Sequence, residues 1–375
     1  MITHLSGDDP REIAPKLNLS LDAGAGERAA PRQTALAVLG ADISSLAKSE
    51  DKGGVYFYED GTQADALKIL NDRGLNYARI RMWVDSPDGY HGKAQLLRMA
   101  KRLKQHGLSL LVDFHYADSW ADPGKQPKPR AWESFDFAGL KKAVYDHTFD
   151  VCNSLKAQGT PPEMVQVGNE ITNGMLWPDG KNDAGFDNLA ALVNEGVRAV
   201  KACSPETSIL LHLDNGAKNE TCRWWLDHML ALGVAFDRIG LSYYPYWHGS
   251  LADLQANLND LALRYGKDIV VVETAYAFTH EDGDGYENVV TTQECPGYPF
   301  TPEGQARMLA DVMTAVRCVP NGRGLGVMWW DATWIAVPGN GWDAYEPSAG
   351  NNWENQALFD FQHRALPALR VLGKP

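Results

Sequence analysis

No run of eighteen apolar residues occurs in the 375-residue chain, which excludes a membrane-spanning helix. Positive charge is also short. Against 48 Asp and Glu stand only 35 Lys and Arg, a formal charge of −13. Such a surface repels phosphates, which argues against a nucleic-acid or anionic-membrane partner, and a neutral ligand fits better. Cysteine is scarce and scattered: Cys152, Cys203, Cys222, Cys295 and Cys318 include no CxxC pair. That spacing argues against a zinc ribbon or a dithiol redox centre, and the odd count leaves a free thiol within one chain. Residues 1–34 contain no apolar stretch long enough for a visible signal peptide and are expected to form an irregular extension. Residues 35–375 are expected to form one domain.

What the chain does have, from residue 35 onward, is alternation. Eight short apolar or β-branched runs are separated by segments with helical periodicity, the pattern of βα units. The runs are ALAVLGADIS, NYARIRMW, LSLLVDFH, MVQVGNE, SILLHLDN, RIGLSYYP, DIVVVET and GLGVMWWD. Helices are predicted over 62–73, 93–105, 137–158, 186–202, 220–232, 250–264 and 302–316. No GxGxxG follows the first strand, which weakens a dinucleotide-binding open sheet. The expected fold class is therefore α/β, a single (β/α)8 TIM barrel with its active site at the C-terminal ends of the strands.

Polar residues gather at those ends: Asp42, Arg79, Arg81, Asp113, His115, Asn169, Glu170, His212, Asp214, Tyr243, Tyr244, Glu273 and Asp331. Two of them stand out. Glu170 follows the apolar strand MVQV, and Glu273 follows DIVVV three βα units later. A carboxylate at the end of a buried strand is costly to desolvate and calls for a function. Strand order places the two across the barrel mouth, within reach of the roughly 5 to 5.5 Å carboxyl spacing of a retaining glycosidase. Glu170 is then the acid/base and Glu273 the nucleophile. Asn169 is placed to bind a sugar hydroxyl near the reacting carbon. Arg79 or Arg81 holds Glu273 ionised, the two being indistinguishable by strand face, and Tyr243 donates to the nucleophile. No catalytic cofactor is needed.

Tryptophan is abundant, with twelve in the chain. Trp83, Trp120, Trp132, Trp177, Trp247, Trp329, Trp330 and Trp334 fall at strand ends or in the loops that follow. Each alone suits packing. As a set on one face they suit the apolar faces and polar rims of sugars along an elongated cleft. Substrate contacts are expected from Asp42, Arg79, Arg81, Trp83, His115, Asn169, Asp214, Tyr243, Trp247 and Trp330.

The segments GADISSL, LLVDFHYADSWADPGKQPKPRAW, VQVGNEITNGMLWPDG, HLDNG, IGLSYYPYWHGSLADL, VVVETAYAFT and WENQALFDF together resemble glycoside hydrolase family 53, the arabinogalactan endo-β-1,4-galactanases. The likeness implies a retaining (β/α)8 enzyme whose catalytic glutamates lie on strands four and seven, matching Glu170 and Glu273. It also implies a galactan or arabinogalactan substrate, which the residues alone do not separate from a glucan or mannan, nor from a barrel that binds carbohydrate without cleaving it. One departure is the eighth strand, MWWDATWI, where the family usually carries a Trp-Glu-Pro-Ala-Trp run. The loop HEDGDGYEN offers hard oxygen ligands on Asp282, Asp284 and Asn288, although a solvated acidic turn reads the same way. Bacterial members hold a structural calcium ion there, commonly with a His where this chain has Tyr286, whose backbone carbonyl would substitute. A monomer is expected, acting outside the cell or in the periplasm because the polymer is too large to enter.

Overall fold

A computed structural model of the protein describes residues 35–373; the extension expected at residues 1–34 lies outside the described residues. Eight parallel strands close into a barrel. They are β1 (Val38–Asp42), β2 (Tyr77–Met82), β3 (Ser109–Phe114), β4 (Met164–Val167), β5 (Ser208–Leu213), β6 (Arg238–Ser242), β7 (Asp268–Thr274) and β8 (Gly324–Trp329). Each pairs with its sequence neighbours, and β1 closes the ring on β8. Eight helices follow the strands: α1 (Ala66–Asp72), α2 (Lys93–Gln105), α3 (Phe137–Ala157), α4 (Asp187–Cys203), α5 (Asn219–Ala231), α6 (Leu251–Tyr265), α7 (Pro302–Arg317) and α8 (Pro367–Leu372). No helix among the described residues is long and apolar enough to cross a membrane.

The local signals are ordinary ones. Asp65 caps α1 by accepting from the Leu67 amide, and Gly74 follows that helix in the left-handed conformation only glycine adopts freely. Ser250 and Asp253 form a reciprocal capping box on α6. The predicted helix over 62–73 starts late. Gln63–Ala64 instead pairs with Tyr56–Phe57 as a small hairpin, which uses up the first residues of that run. A short helix at Leu46–Asp51 and α8 were not anticipated; six residues each give too little periodicity to detect.

Strand alternation divides the side chains into layers. Val38, Leu111, Met164, Leu210, Val270, Val272 and Met328 fill the lower barrel as a separate apolar cluster. Two residues further along the same faces, the side chains become polar: Arg79, Asp113, Gln166 and His212. The barrel is thus a plug of aliphatics carrying a polar floor, and the outward faces pack on the helices in the larger core.

Candidate active site

Arg79 is the centre of the polar floor, only 1% exposed. Its guanidinium reaches Asp42 at 3.0 Å, Asp113 at 2.8 Å and Glu273 at 2.8 Å. It also donates to Gln166 Oε1 at 3.2 Å and Asn169 Oδ1 at 2.9 Å. A planar five-donor fork suits this crowd of acceptors, and the arginine is pushed up from its ordinary pKa because the surrounding carboxylates outweigh its burial. The choice between Arg79 and Arg81 is settled by these distances. Arg81 lies two residues further up, 4.1 Å from the Trp120 ring and 3.7 Å from Asp331, and has no ion pair to Glu273.

Both glutamates need irregular backbone to reach the mouth. On β7, Val272 faces into the apolar plug, so plain alternation would turn Glu273 outward. The pairing shows a bulge here: Leu241 lies opposite Val271, yet the next residue, Ser242, lies opposite Glu273. That extra residue on β7 re-aims Glu273 toward Arg79. Glu170 has φ 47° and ψ 50°, a left-handed conformation disfavoured for a side chain of this size, and it follows Gly168 at φ 88°. Its amide donates to His212 Nδ1 at 3.3 Å.

That bond fixes the histidine tautomer. With Nδ1 accepting, His212 Nε2 donates to Ser242 Oγ at 2.9 Å, and the serine hydroxyl donates to Glu170 Oε1 at 2.6 Å. Ser242 also stands 3.4 Å from Glu273 Oε2, so one hydroxyl touches both carboxylates. An oxygen of each glutamate lies within 4.8 Å of the other. Burial first, then the neighbouring Glu273 charge, pushes the Glu170 carboxyl well above its usual range. Burial raises Glu273 too, but Arg79 and a hydroxyl hydrogen bond pull it back. Of the two, Glu170 is pushed harder toward its protonated form, while Arg79 and the hydroxyl favour the charged form of Glu273.

The hydroxyl on Glu273 belongs to Tyr244, at 2.8 Å from Oε2, and not to Tyr243. Tyr243 faces away from the cleft and donates to the Gly249 carbonyl at 3.0 Å. The period of two explains the correction: Ser242 points into the mouth, so Tyr244 does and Tyr243 does not.

Above the floor a cavity of about 460 Å³ is lined by both glutamates, His115, Asn169, Tyr244, Trp247 and Trp330. His115 is fixed by accepting from the Ala121 amide at 3.2 Å and bonding Asp113 at 3.0 Å. Trp120, Trp334, Trp342 and Trp353 complete an aromatic wall. Trp342 and Trp353 were not singled out as cleft residues in the sequence because they lie far beyond the last strand, in the long segment before α8. Four expected substrate contacts are instead below or behind this cavity. Trp83 is fully buried behind Trp120 at 5.5 Å between ring centroids, and Asp42, Arg79 and Arg81 are buried in or beside the floor, outside the cavity lining. They hold the contacting residues in place. Asp214 is buried beside Glu170 and adds to the charge that raises it. Trp132 and Trp329 are core residues.

The acidic loop gains a residue. Carboxylate oxygens of Asp282, Asp284 and Glu354 lie within 4.8 Å of one another. Asn288 Nδ2 donates to Glu354 Oε1 at 3.0 Å, while Asn288 Oδ1 and Glu354 Oε2 are buried without a partner. Orphaned buried oxygens beside two further carboxylates fit a hard cation. Glu354 comes from the far end of the chain, which hid it. The Tyr286 hydroxyl accepts from Trp342 Nε1 at 3.3 Å, so its side chain takes no part, and the contact expected from Tyr286 is through its backbone carbonyl.

Residues 38–372 match the sequence profile of glycosyl hydrolase family 53. The chain is 35% identical over 370 residues to an endo-beta-1,4-galactanase of Bacillus subtilis, covering 89% of this chain and 85% of that protein. It is 35% identical over 349 residues to arabinogalactan endo-beta-1,4-galactanase A of Emericella nidulans, covering 90% and 95%. Among solved structures, a family 53 catalytic domain from Ignisphaera aggregans superposes with a TM-score of 0.87 at 39% identity, covering 92% of this chain and 97% of that one.

Proposed function

The chain belongs to glycosyl hydrolase family 53 and is a glycoside hydrolase, and from that premise we propose that it cleaves internal β-1,4-galactosidic bonds of galactan and arabinogalactan by double displacement with retention. The observation that carries the mechanism is the pair itself: two carboxyls with oxygens within 4.8 Å, one pushed toward the protonated form and the other paired to Arg79. That spacing leaves no room for a water between nucleophile and sugar, which favours direct attack by Glu273. Glu170 gives its proton to the glycosidic oxygen as the bond to the anomeric carbon breaks, and Glu273 forms the ester. That transfer leaves Glu170 ionised, and because esterification has removed the Glu273 charge that had raised it, Glu170 stays ionised and takes a proton from the water that hydrolyses the ester. Tyr244 and Arg79 hold the attacking carboxylate, and Asn169 binds the sugar hydroxyl beside the reacting carbon. The galactan assignment leans on the named galactanase relatives. Since such a polymer does not enter a cell intact, the enzyme acts outside the cytoplasm.

We further infer a structural calcium ion on Asp282, Asp284, Asn288 and Glu354, which would tie the loop after β7 to the segment before α8. Chelation should lower the melting temperature by several degrees, with recovery on adding calcium but not in Glu354→Gln. An unchanged melting curve would remove the ion.

The decisive experiment is hydrolysis of linear β-1,4-galactan by the wild type, Glu170→Gln and Glu273→Gln. Short galacto-oligosaccharides that first appear as the β-anomer, with at least about a thousandfold loss in both variants, are expected. Turnover of a glucan or mannan in place of galactan would discard the substrate. Activity retained by either variant would discard the pair.

A further inference from the structure

We propose that a second cavity, built on the hairpin just after Glu170, is a distal subsite for the leaving chain, holding galactosyl residues beyond the one attached to the cleaved bond. The inference rests on the function proposed above. The cavity measures about 510 Å³, and Pro123, Gly124, Asn173, Trp177, Lys181 and Trp224 are among the residues around it.

Its side of the cleft follows from the mechanism. Glu170 protonates the leaving oxygen, so the departing chain lies over Glu170. From that residue the chain runs through the single turn Ile171–Asn173 directly into the hairpin formed by Gly174–Met175 and Gly180–Lys181. The two cavities also share a wall. Asp122 and Lys125 line the catalytic cleft, while Pro123 and Gly124, between them, line the second cavity. Reciprocal backbone bonds of 2.8 and 3.0 Å between Asp122 and Lys125 close this turn, so one tight corner separates the spaces.

The chemistry is that of a sugar site. Trp177 is partly exposed, with its indole Nε1 held by the Asn173 carbonyl at 2.9 Å. Trp224 is 44% exposed and is held edge-on by Phe186 at 4.8 Å. The Lys181 ammonium stands 5.1 Å from the Trp177 ring centroid and pairs with Asp183 at 2.8 Å, placing a donor and an acceptor beside the indole. Two aromatic surfaces with a polar rim match the apolar face and hydroxyl edge of a pyranose. The frame is preorganised. Asn173 Nδ2 donates to the Pro123 carbonyl at 2.8 Å, the Trp177 amide to the Gln126 carbonyl at 2.7 Å, and Lys128 pairs with Asp179 at 2.9 Å. Little ordering would therefore oppose binding. Nothing in the reaction at the anomeric carbon requires exposed tryptophans outside the catalytic cleft.

The test compares Trp177→Ala, Trp224→Ala and the double variant on linear β-1,4-galactan and on 4-nitrophenyl β-galactobioside, whose leaving group reaches only the first position past the bond. The double variant should lose about tenfold in kcat/KM on galactan and stay within about twofold of wild type on the nitrophenyl substrate. Equal losses on both substrates would mean the tryptophans only support Glu170, and no loss on galactan would mean the cavity is idle; either overturns the subsite. The wild type supplies a second reading that needs no variant. With galactohexaose labelled at its reducing end, the labelled product should be predominantly a dimer or longer, and predominantly labelled monomer would sink the proposal. A wild type that leaves galactan uncut overturns the functional reading and the subsite together, whereas galactan cleavage unaffected by the double variant overturns the subsite alone.

Discussion

Arg79 and Arg81 leave the same strand on the same face, two residues apart, and meet opposite surroundings. Arg79 lies among three carboxylates within 3.0 Å and donates to two amide oxygens as well. Arg81 lies 4.1 Å from the Trp120 ring with a single carboxylate, Asp331, at 3.7 Å, and its Nε and Nη1 are buried without partners. Burial and neighbouring charge push the two pKa values apart, Arg79 upward and Arg81 downward. One guanidinium is an electrostatic hub on which the nucleophile depends. The other works mainly as a flat cation supporting an aromatic wall. Residue type and strand position do not distinguish the roles; the neighbours do.

The contrast breaks most visibly on deletion. Arg79→Gln leaves Asp42, Asp113 and Glu273 facing one another without a counter-charge, and they cannot all remain ionised. Galactan hydrolysis should fall at least about a thousandfold and stability by about 3–5 kcal/mol, in steady-state kinetics and denaturant titration. Arg81→Gln removes a cation whose one carboxylate can take up a proton instead, since burial, followed by Asp42, lifts Asp331 to about 7. Its loss of activity should stay within about tenfold. Comparable losses in the two variants would show that the network acts as one unit and that the distinction is false.

A second pair sharpens the boundary of the site. Tyr244→Phe removes the hydroxyl on Glu273 and should lower kcat/KM about 10- to 100-fold. The pH profile should move with it. Glu273 loses a donor that had lowered its pKa, so the acid limb, where Glu273 takes up a proton, shifts to higher pH. Tyr243→Phe loses only a bond to the Gly249 carbonyl and should leave both quantities within about twofold.

These pairs also mark how far the sequence could be read. Eight strands, seven helices and both glutamates were legible, because apolar runs ending in costly polar groups are a one-dimensional signal. The Arg79 preference was not, since it depends on which strands stand opposite. Nor was the bulge that turns Glu273 inward: DIVVVET reads as an unbroken strand whichever way the last residues face. Trp342, Trp353 and Glu354 were missed for a related reason. Trp342 and Trp353 reach the mouth, and Glu354 the acidic loop, from a segment with no periodicity, brought there only by chain closure. The Tyr243 expectation failed although period two, counted from Ser242, contained the answer.

A pH-dependent measurement tests the weaker half of the contrast. Asp331 accepts from the Ser45 hydroxyl at 3.0 Å and the Ser45 amide at 3.2 Å, yet burial and the nearby Asp42 charge raise it from an ordinary 3.8 to about 7. The sign follows directly. A carboxyl raised on folding binds its proton more tightly in the native state than in the unfolded chain, so its contribution is greatest below about pH 4 and is lost as pH rises through 7. Asp331→Asn cannot titrate. Relative to wild type it should therefore gain stability between pH 5 and pH 8, on the order of 2–3 kcal/mol, read from denaturation midpoints at the two pH values. Asn keeps one acceptor for Ser45, so its lost hydrogen bond shifts both midpoints by a similar amount and leaves the difference intact. If the difference does not change with pH, Asp331 is ionised throughout and Arg81 pairs with it as firmly as Arg79 pairs with Glu273. The two arginines would then be two versions of one hub, and the tryptophan wall would owe its placement to charge after all.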